Sequence, residues 1–451
     1  DGNTTGAVNA ATITTLTGLA ADANTAYASS GISGLGNEAV TLSDTSLTST
    51  VLNTLDGNTT GAVNAATVLT LTGTVTTINT AYASSGITGL GNEAVTLTDT
   101  SLAADALNTT NTNTTGTVTV QATTVTGTAG NLVTAYGAQG SGIDGLGNEA
   151  ITSSETLTVA QANTLAGLTT GAVTSTISNG DMTTLAGLSE TGHAHTITVT
   201  DTSVVASALN TLDGKTTVAI DASAITTITG TGTDAKEAFA SSGISGLTFD
   251  AANYLASYGD LIGAFGSNTT AAESHYFAHG VAEGRSFDSF DETSYLASNG
   301  DLIAAFESNT TSALNHYINH GYSEGRSTDS FKALSYIASY ADLMSAFGAN
   351  GASAATSHYI SHGYGEGRTV QFDEVGYLAS HSDLLGVFGT DTTAATKHYI
   401  NYGYSEGRTI TFDAASYLAA NADLRSAFGS DEDLAKQHYV DYGYSEGRAL
   451  A

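Results

Sequence analysis

The chain has 451 residues, with 43 acidic side chains against 11 lysines and arginines, and no cysteine, proline or tryptophan. A formal net charge of −32 repels nucleic acid and anionic membranes and attracts divalent cations, of which calcium prefers oxygen ligands. The absence of cysteine excludes disulfides, thiolate metal sites and cysteine nucleophiles, and no run of about 18 apolar residues is present to insert into a membrane.

Repetition organises the sequence. Asp1-Gly2-Asn3-Thr4-Thr5-Gly6 returns as Asp56-Gly57-Asn58-Thr59-Thr60-Gly61 and, altered, as Asn111-Thr112-Asn113-Thr114-Thr115-Gly116, a spacing of 55 residues. Gly34-Leu35-Gly36-Asn37-Glu38-Ala39 recurs at Gly89 to Ala94 and at Gly145 to Ala150. A fixed period of this kind marks a repeat architecture. No secretory leader is evident, and Asp1 falls inside a unit, which leads us to expect a longer or cleaved natural chain.

Ala39 to Ser43 alternates apolar and polar residues and is expected to be a strand. Asp44-Thr45-Ser46 offers helix caps, Leu47, Val51, Leu52 and Leu55 share a helical face, and Asp56-Gly57 is expected to end that helix with Gly57 left-handed. A second turn follows through Ala62 to Ala65 and Val68 to Leu71. Thr74 then caps a helix facing inward with Val75, Ile78 and Tyr82, and Ser84-Ser85-Gly86 closes it. Two coils of about 27 residues per unit fit an α/β solenoid of parallel strands and short helices; a parallel β-helix is the alternative.

After residue 150 the pattern drifts. Leu157 to Leu165 reads as a helix, and Ala172 to Ser178 and His195 to Thr200 as strands. Asn210-Thr211-Leu212-Asp213-Gly214 and Ala240-Ser241-Ser242-Gly243-Ile244 restore the register, so the Thr-rich solenoid is assigned residues 1–248.

Residues 249–451 form a different unit, expected to be an all-α array of five short helical repeats of 40–42 residues. Phe249, Phe290, Phe331, Phe372 and Phe412 open the copies, and Arg285, Arg326, Arg368, Arg408 and Arg448 close them. In the last copy Asp423 is expected to cap the second of three helices, which buries Leu424 and Phe428. The third is expected to end at Gly443, with Tyr444 folding back over it. Five of the six arginines sit in Glu-Gly-Arg, which suggests a structural fork gripping helix-end carbonyls or the capping aspartate.

Candidate chemistry is sparse. His275 and His279, His316 and His320, and His358 and His362 have the i, i+4 spacing of zinc ligands, but Tyr402 and Tyr442 replace the second histidine in later copies, so aromatic packing fits all five. Calcium is the one cofactor expected. Its candidate ligands are Asp1, Asn3, Asp56 and Asn58 in the repeated turns, and Asp44 and Asp99, with Glu38 and Glu93 as alternatives; the competing assignment is plain turns and caps. Asn3, Asn58, Asn113, Asn268 and Asn309 head Asn-Thr-Thr triplets matching an N-glycosylation pattern. His193 and His195 read as structural, and no catalytic triad is recognisable, so no enzymatic activity is expected.

The phrases Leu52-Asn53-Thr54-Leu55-Asp56 and Ser84-Ser85-Gly86-Ile87-Thr88-Gly89-Leu90 resemble repeats of large bacterial cell-surface and secreted proteins, notably those of marine cyanobacteria. So does the Phe-Asp, Tyr-Leu-Ala, Asp-Leu, His-Tyr, Gly-Tyr-x-Glu-Gly-Arg unit. The resemblance implies export without disulfides, an extracellular location at the cell surface, and roles in surface layers, filaments or adhesion. Stacked coils end in unsatisfied faces unless capped, and a strand edge invites another chain. The expected partners are therefore copies of the chain itself in a homopolymer, or a cell-surface polysaccharide if the chain is an adhesin or glycan-binding module. Neither nucleic acid nor membrane insertion is expected.

Overall fold

Parallel strands alternate with short helices through the first half of the chain, and the second half is helical throughout. The structure, a computed structural model, describes residues 2–450. Two compact units are formed. The first contains the residues up to Phe249 together with Tyr276–Ser286, and the second Asp250–His275 with the residues from Phe287 onward. The composition change at residue 249 therefore lies close to the structural boundary, but the closing segment of the first helical copy belongs to the first unit.

In the first unit, Thr15–Gly18 pairs in parallel with Ala39–Leu42, which pairs with Val63–Asn64, which pairs with Ile87–Thr88. A second ladder runs through Ser46–Thr48, Thr70–Gly73, Ala94–Leu97, Val118–Thr119 and Ile143–Asp144. Inner strands bond on both edges, so every residue needs its N–H, and proline would delete a ladder bond; the chain contains none. Period-2 alternation sends Val40 and Leu42 inward and Thr41 outward.

Helices Ala20–Ala28, Ser49–Asn58, Val75–Ala83, Ala104–Asn113 and Ala129–Gly137 flank the ladders. Each turns a narrow apolar stripe inward, such as Leu52 with Leu55 or Val75 with Ile78. The helices open at residues 20, 49, 75, 104 and 129, so the two coils of a unit are unequal. The longer one carries an extra strand, Ser46–Thr48 or Ser101–Ala103. Asparagines tie helix to helix: the Nδ2 atoms of Asn24, Asn53, Asn79 and Asn108 donate to the carbonyls of Val51, Thr77, Ala106 and Asn131.

Two sequence expectations fail here. The cap of Ser49–Asn58 is Thr48, whose hydroxyl accepts from the Val51 N–H, because Ser46–Thr48 is drawn into the ladder. Gly57 lies inside that helix, which ends on an extended Thr59. Thr74 does cap Val75–Ala83, as expected, with Ile78 buried, but Tyr82 is only half-buried.

The strand stack is closed after its last coil by the chain's own residues. Phe239 packs edge-on against Phe249 and Phe277, Lys236 lies over the Phe277 ring, and the Ser286 hydroxyl donates to the Thr226 carbonyl. Val281 is buried in the same unit.

The second unit repeats one lock. Tyr295, Tyr336, Tyr377 and Tyr417 are fully buried, and their hydroxyls meet Nδ1 of His316, His358, His398 and His438 at 2.9–3.1 Å. Burial pushes the Tyr295, Tyr336 and Tyr377 hydroxyls up to about 12, so they stay neutral. The third helix of each copy passes into a π-helical turn such as Tyr399–Gly403, and its last glycine backs onto the tyrosine. A Cβ on Gly403 would sit 2.3 Å from the Tyr377 hydroxyl oxygen.

The expected left-handed Gly443 is therefore a close-approach glycine, and the left-handed residue is Gly447 of Glu-Gly-Arg. Asp423 stands in the first turn of Ala422–Phe428 behind Asn421, and Phe428 is only half-buried beside buried Leu424. Asp423 is instead the fork's target: Arg448 holds Asp423 at 2.6 Å and Glu446 at 2.7 Å, and Arg326, Arg368 and Arg408 repeat the grip. The second helix buries Ile262, Ile303, Met344 and Leu385 in the first four copies, whereas Arg425 stands exposed at that position in the fifth.

The Tyr–His–Gly lock predicts that Gly403→Ala destabilises the second unit by about 1–3 kcal/mol through overpacking, while Tyr377→Phe combined with Gly403→Ala recovers part of the loss. Denaturant unfolding of the single and double variants measures this; equal stability of Gly403→Ala and the parent contradicts it.

Candidate functional site

The two phrases that mark the 55-residue unit meet in space. Thr59 donates from Oγ1 to the Glu38 carbonyl at 2.7 Å, and Thr60 donates from its backbone to the Gly36 carbonyl at 2.9 Å. Gly61 lies so close that an added Cβ would be 2.3 Å from the Glu38 oxygen. Thr114 to Gly116 clasps Glu93, and Thr169 to Gly171 clasps Glu149, in the same way.

The clasped glutamates are buried. Glu38 accepts from the Tyr27 hydroxyl and the Gly36 and Asn37 N–H groups; Glu93 accepts from Tyr82, and Glu149 from Tyr136. Burial works against ionisation of Glu38, but the hydrogen bonds from Gly36, Tyr27 and Asn37 outweigh it and hold the carboxyl below the usual range. Burial, then the neighbouring carboxylates, raise the Tyr82 and Tyr136 hydroxyls. Glu93 and Glu149 use both oxygens, whereas Glu38 Oε1 is buried with no hydrogen-bond partner.

A histidine takes the glutamate's place further along. Thr216 Oγ1 donates to the His195 carbonyl at 2.7 Å and the Thr217 N–H to that of His193 at 2.9 Å, repeating the clasp. Val218 replaces the glycine. His195 Nδ1 meets Ser175 Oγ at 2.8 Å, and His193 Nδ1 accepts from the Val173 N–H at 3.1 Å. Burial lowers both imidazoles, His195 to about 4, with His193 adding to the effect on His195 and Glu190 opposing it on His193.

The expected calcium ligands are engaged separately. Asp44 accepts from the Ala20 N–H and Asp99 from the Val75 N–H, so each caps a helix of the preceding coil. Glu155 repeats this at Ala129, and Asp201 at Met182. Asp56 accepts from the Ser84 hydroxyl, and Asn58 donates to Asn24. Asn3 is exposed, and Asp1 lies outside the described residues. Among the described residues no three His, Asp or Glu side chains are grouped to hold a metal ion, and no helix is long and apolar enough to cross a membrane. The i, i+4 histidines stack as aromatics: His316 with His320, His358 with His362, and likewise His398 with Tyr402.

The first coil differs from its successor at matched positions. Thr59, Val63, Val68 and Leu71 are buried, but Thr4 and Ile13 are exposed and Val8 and Leu16 only half-buried. Thr15–Gly18 is the outermost strand of its ladder. Sequence reading had no means to find the buried glutamate column; the only signal was that both phrases recur with the same period. No protein-family model matches the chain, and neither a curated protein nor a solved structure does.

The caps predict that Asp99→Ala lowers stability by about 1 kcal/mol, equally in calcium and in chelator; a loss seen only in calcium contradicts the capping role. The buried histidines predict an acid-labile segment. The unfolded imidazoles bind protons near pH 6.5 and folded His195 only near 4. Stability is therefore retained above about pH 6.5 and lost as pH falls towards 4. His195→Gln should flatten this part of the stability–pH curve, as measured by denaturation at stepped pH; an unchanged slope contradicts it.

Proposed function

We propose that the chain is a structural extracellular protein whose first half is an α/β solenoid, and that it assembles with copies of itself into a cell-surface layer or filament. The supporting observation is the repeat itself: successive turns of the first unit pair through parallel strands and carry the same threonine clasp. A stack of like turns presents the same outer face at every period, so a contact made once between two copies is made again along their length.

Calcium belongs to the proposal because two copies, each at −32, repel one another until cations intervene. The proposal includes no enzymatic role. It also accommodates the resemblance of the repeats to bacterial surface proteins.

Light scattering and electron microscopy of the purified chain, with calcium or with chelator, test this. Assembly in calcium, weakened several-fold by chelator, is the expected outcome. A monodisperse monomer in both conditions, at concentrations up to about 100 µM where even weak pairing of micromolar Kd registers, overturns it.

A further inference from the structure

We propose that the helical repeats carry a binding track for a neutral polysaccharide, formed by tyrosines beside the π-helical glycine of the second to fifth copies. This inference is independent of the assembly reading. In the fourth copy Tyr402 and Tyr404 flank buried Gly403, and in the fifth Tyr442 and Tyr444 flank buried Gly443; the four rings are 59, 52, 59 and 40% exposed. Tyr322 and Tyr364 hold the second of these positions in earlier copies and are also exposed. These are not failed core residues, because the same copies bury Tyr377 and Tyr417 completely.

Tyr322 and Tyr364 sit where neighbouring copies meet: a Cβ added to Gly259 would strike the ring of Tyr322, and one added to Gly300 the ring of Tyr364. A tyrosine follows the π-helical glycine in the second to fifth copies, a periodicity suited to a ligand that itself repeats. A flat ring with a polar tip offers an apolar face and a hydroxyl together, which matches the C–H faces and hydroxyls of a sugar.

Charge selects among partners. The guanidiniums of Arg326, Arg368, Arg408 and Arg448 are each held between two carboxylates. They are therefore not available to grip an anionic polymer. A second copy of the chain brings 32 further negative charges to the same surface. A neutral glycan meets neither obstacle, and the exposed Glu406 and Glu446 beside the rings can accept its hydroxyls.

The test is affinity electrophoresis of the full chain through gels containing soluble neutral glucan, mannan or galactan, with light scattering of the same samples. The expected result is retardation by at least one of the three, weakened about tenfold, or about 1.4 kcal/mol, in Tyr402→Ala combined with Tyr442→Ala, with an unchanged melting temperature. These two rings are the most exposed of the six. No retardation by any of the three, or equal retardation of parent and variant, overturns the proposal. So does scattering that shows the variant abolishing self-association, which would assign the track to a second copy. A monomer that binds glycan sustains this inference while removing the assembly reading, and a polymer that binds none does the reverse.

Discussion

The backbone clasp between successive coils is the constraint on which the first unit depends. A threonine hydroxyl and a backbone N–H grip two carbonyls of the preceding turn, and a glycine lets the chains approach closely enough for both bonds to form. Behind the clasp a buried carboxylate accepts hydrogen bonds from backbone N–H groups and a tyrosine hydroxyl, which favour its charged form. A buried charge is costly unless it is hydrogen-bonded, so the turn, the glutamate and the tyrosine must be present together. This explains why whole phrases, rather than single residues, recur. Where the glutamate becomes His195, the tyrosine gives way to Ser175 and the glycine to Val218, while the two threonine bonds remain.

The helical copies obey a comparable rule with different groups. A buried tyrosine hydroxyl needs a partner; a histidine supplies it, and a glycine at the end of a π-helical turn makes room. The Glu-Gly-Arg phrase closes the second to fifth copies by a left-handed turn that aims the arginine at an aspartate of the second helix. That ion pair is exposed, and exposed pairs add little stability. Its role is to fix the direction of the chain as one copy leads into the next.

Periodicity made much of this legible. The 55-residue spacing, the alternating strand at Ala39 to Leu42, the Thr74 cap and the arginine fork are all visible in the sequence, because each is a local pattern repeated. The failures occurred where a distant partner decides the outcome. Asp44 looks like a cap of its own helix, but Asp44 and Asp99 cap helices of the preceding coil. Gly57 resembles a helix stop, but its helix continues to Asn58 before the clasp begins at Thr59. Gly443 resembles a left-handed cap, but it is required by a tyrosine hydroxyl in another helix. The tyrosine track could not be separated from core tyrosines by sequence, because both kinds sit in equally regular motifs.

The central functional claim is that copies of the chain assemble with one another. Analytical ultracentrifugation of the purified chain, in calcium and in chelator, tests this most directly. In calcium the chain should sediment as species well above the 45.4 kDa of one copy. A single species of one copy's mass in both conditions would contradict the account.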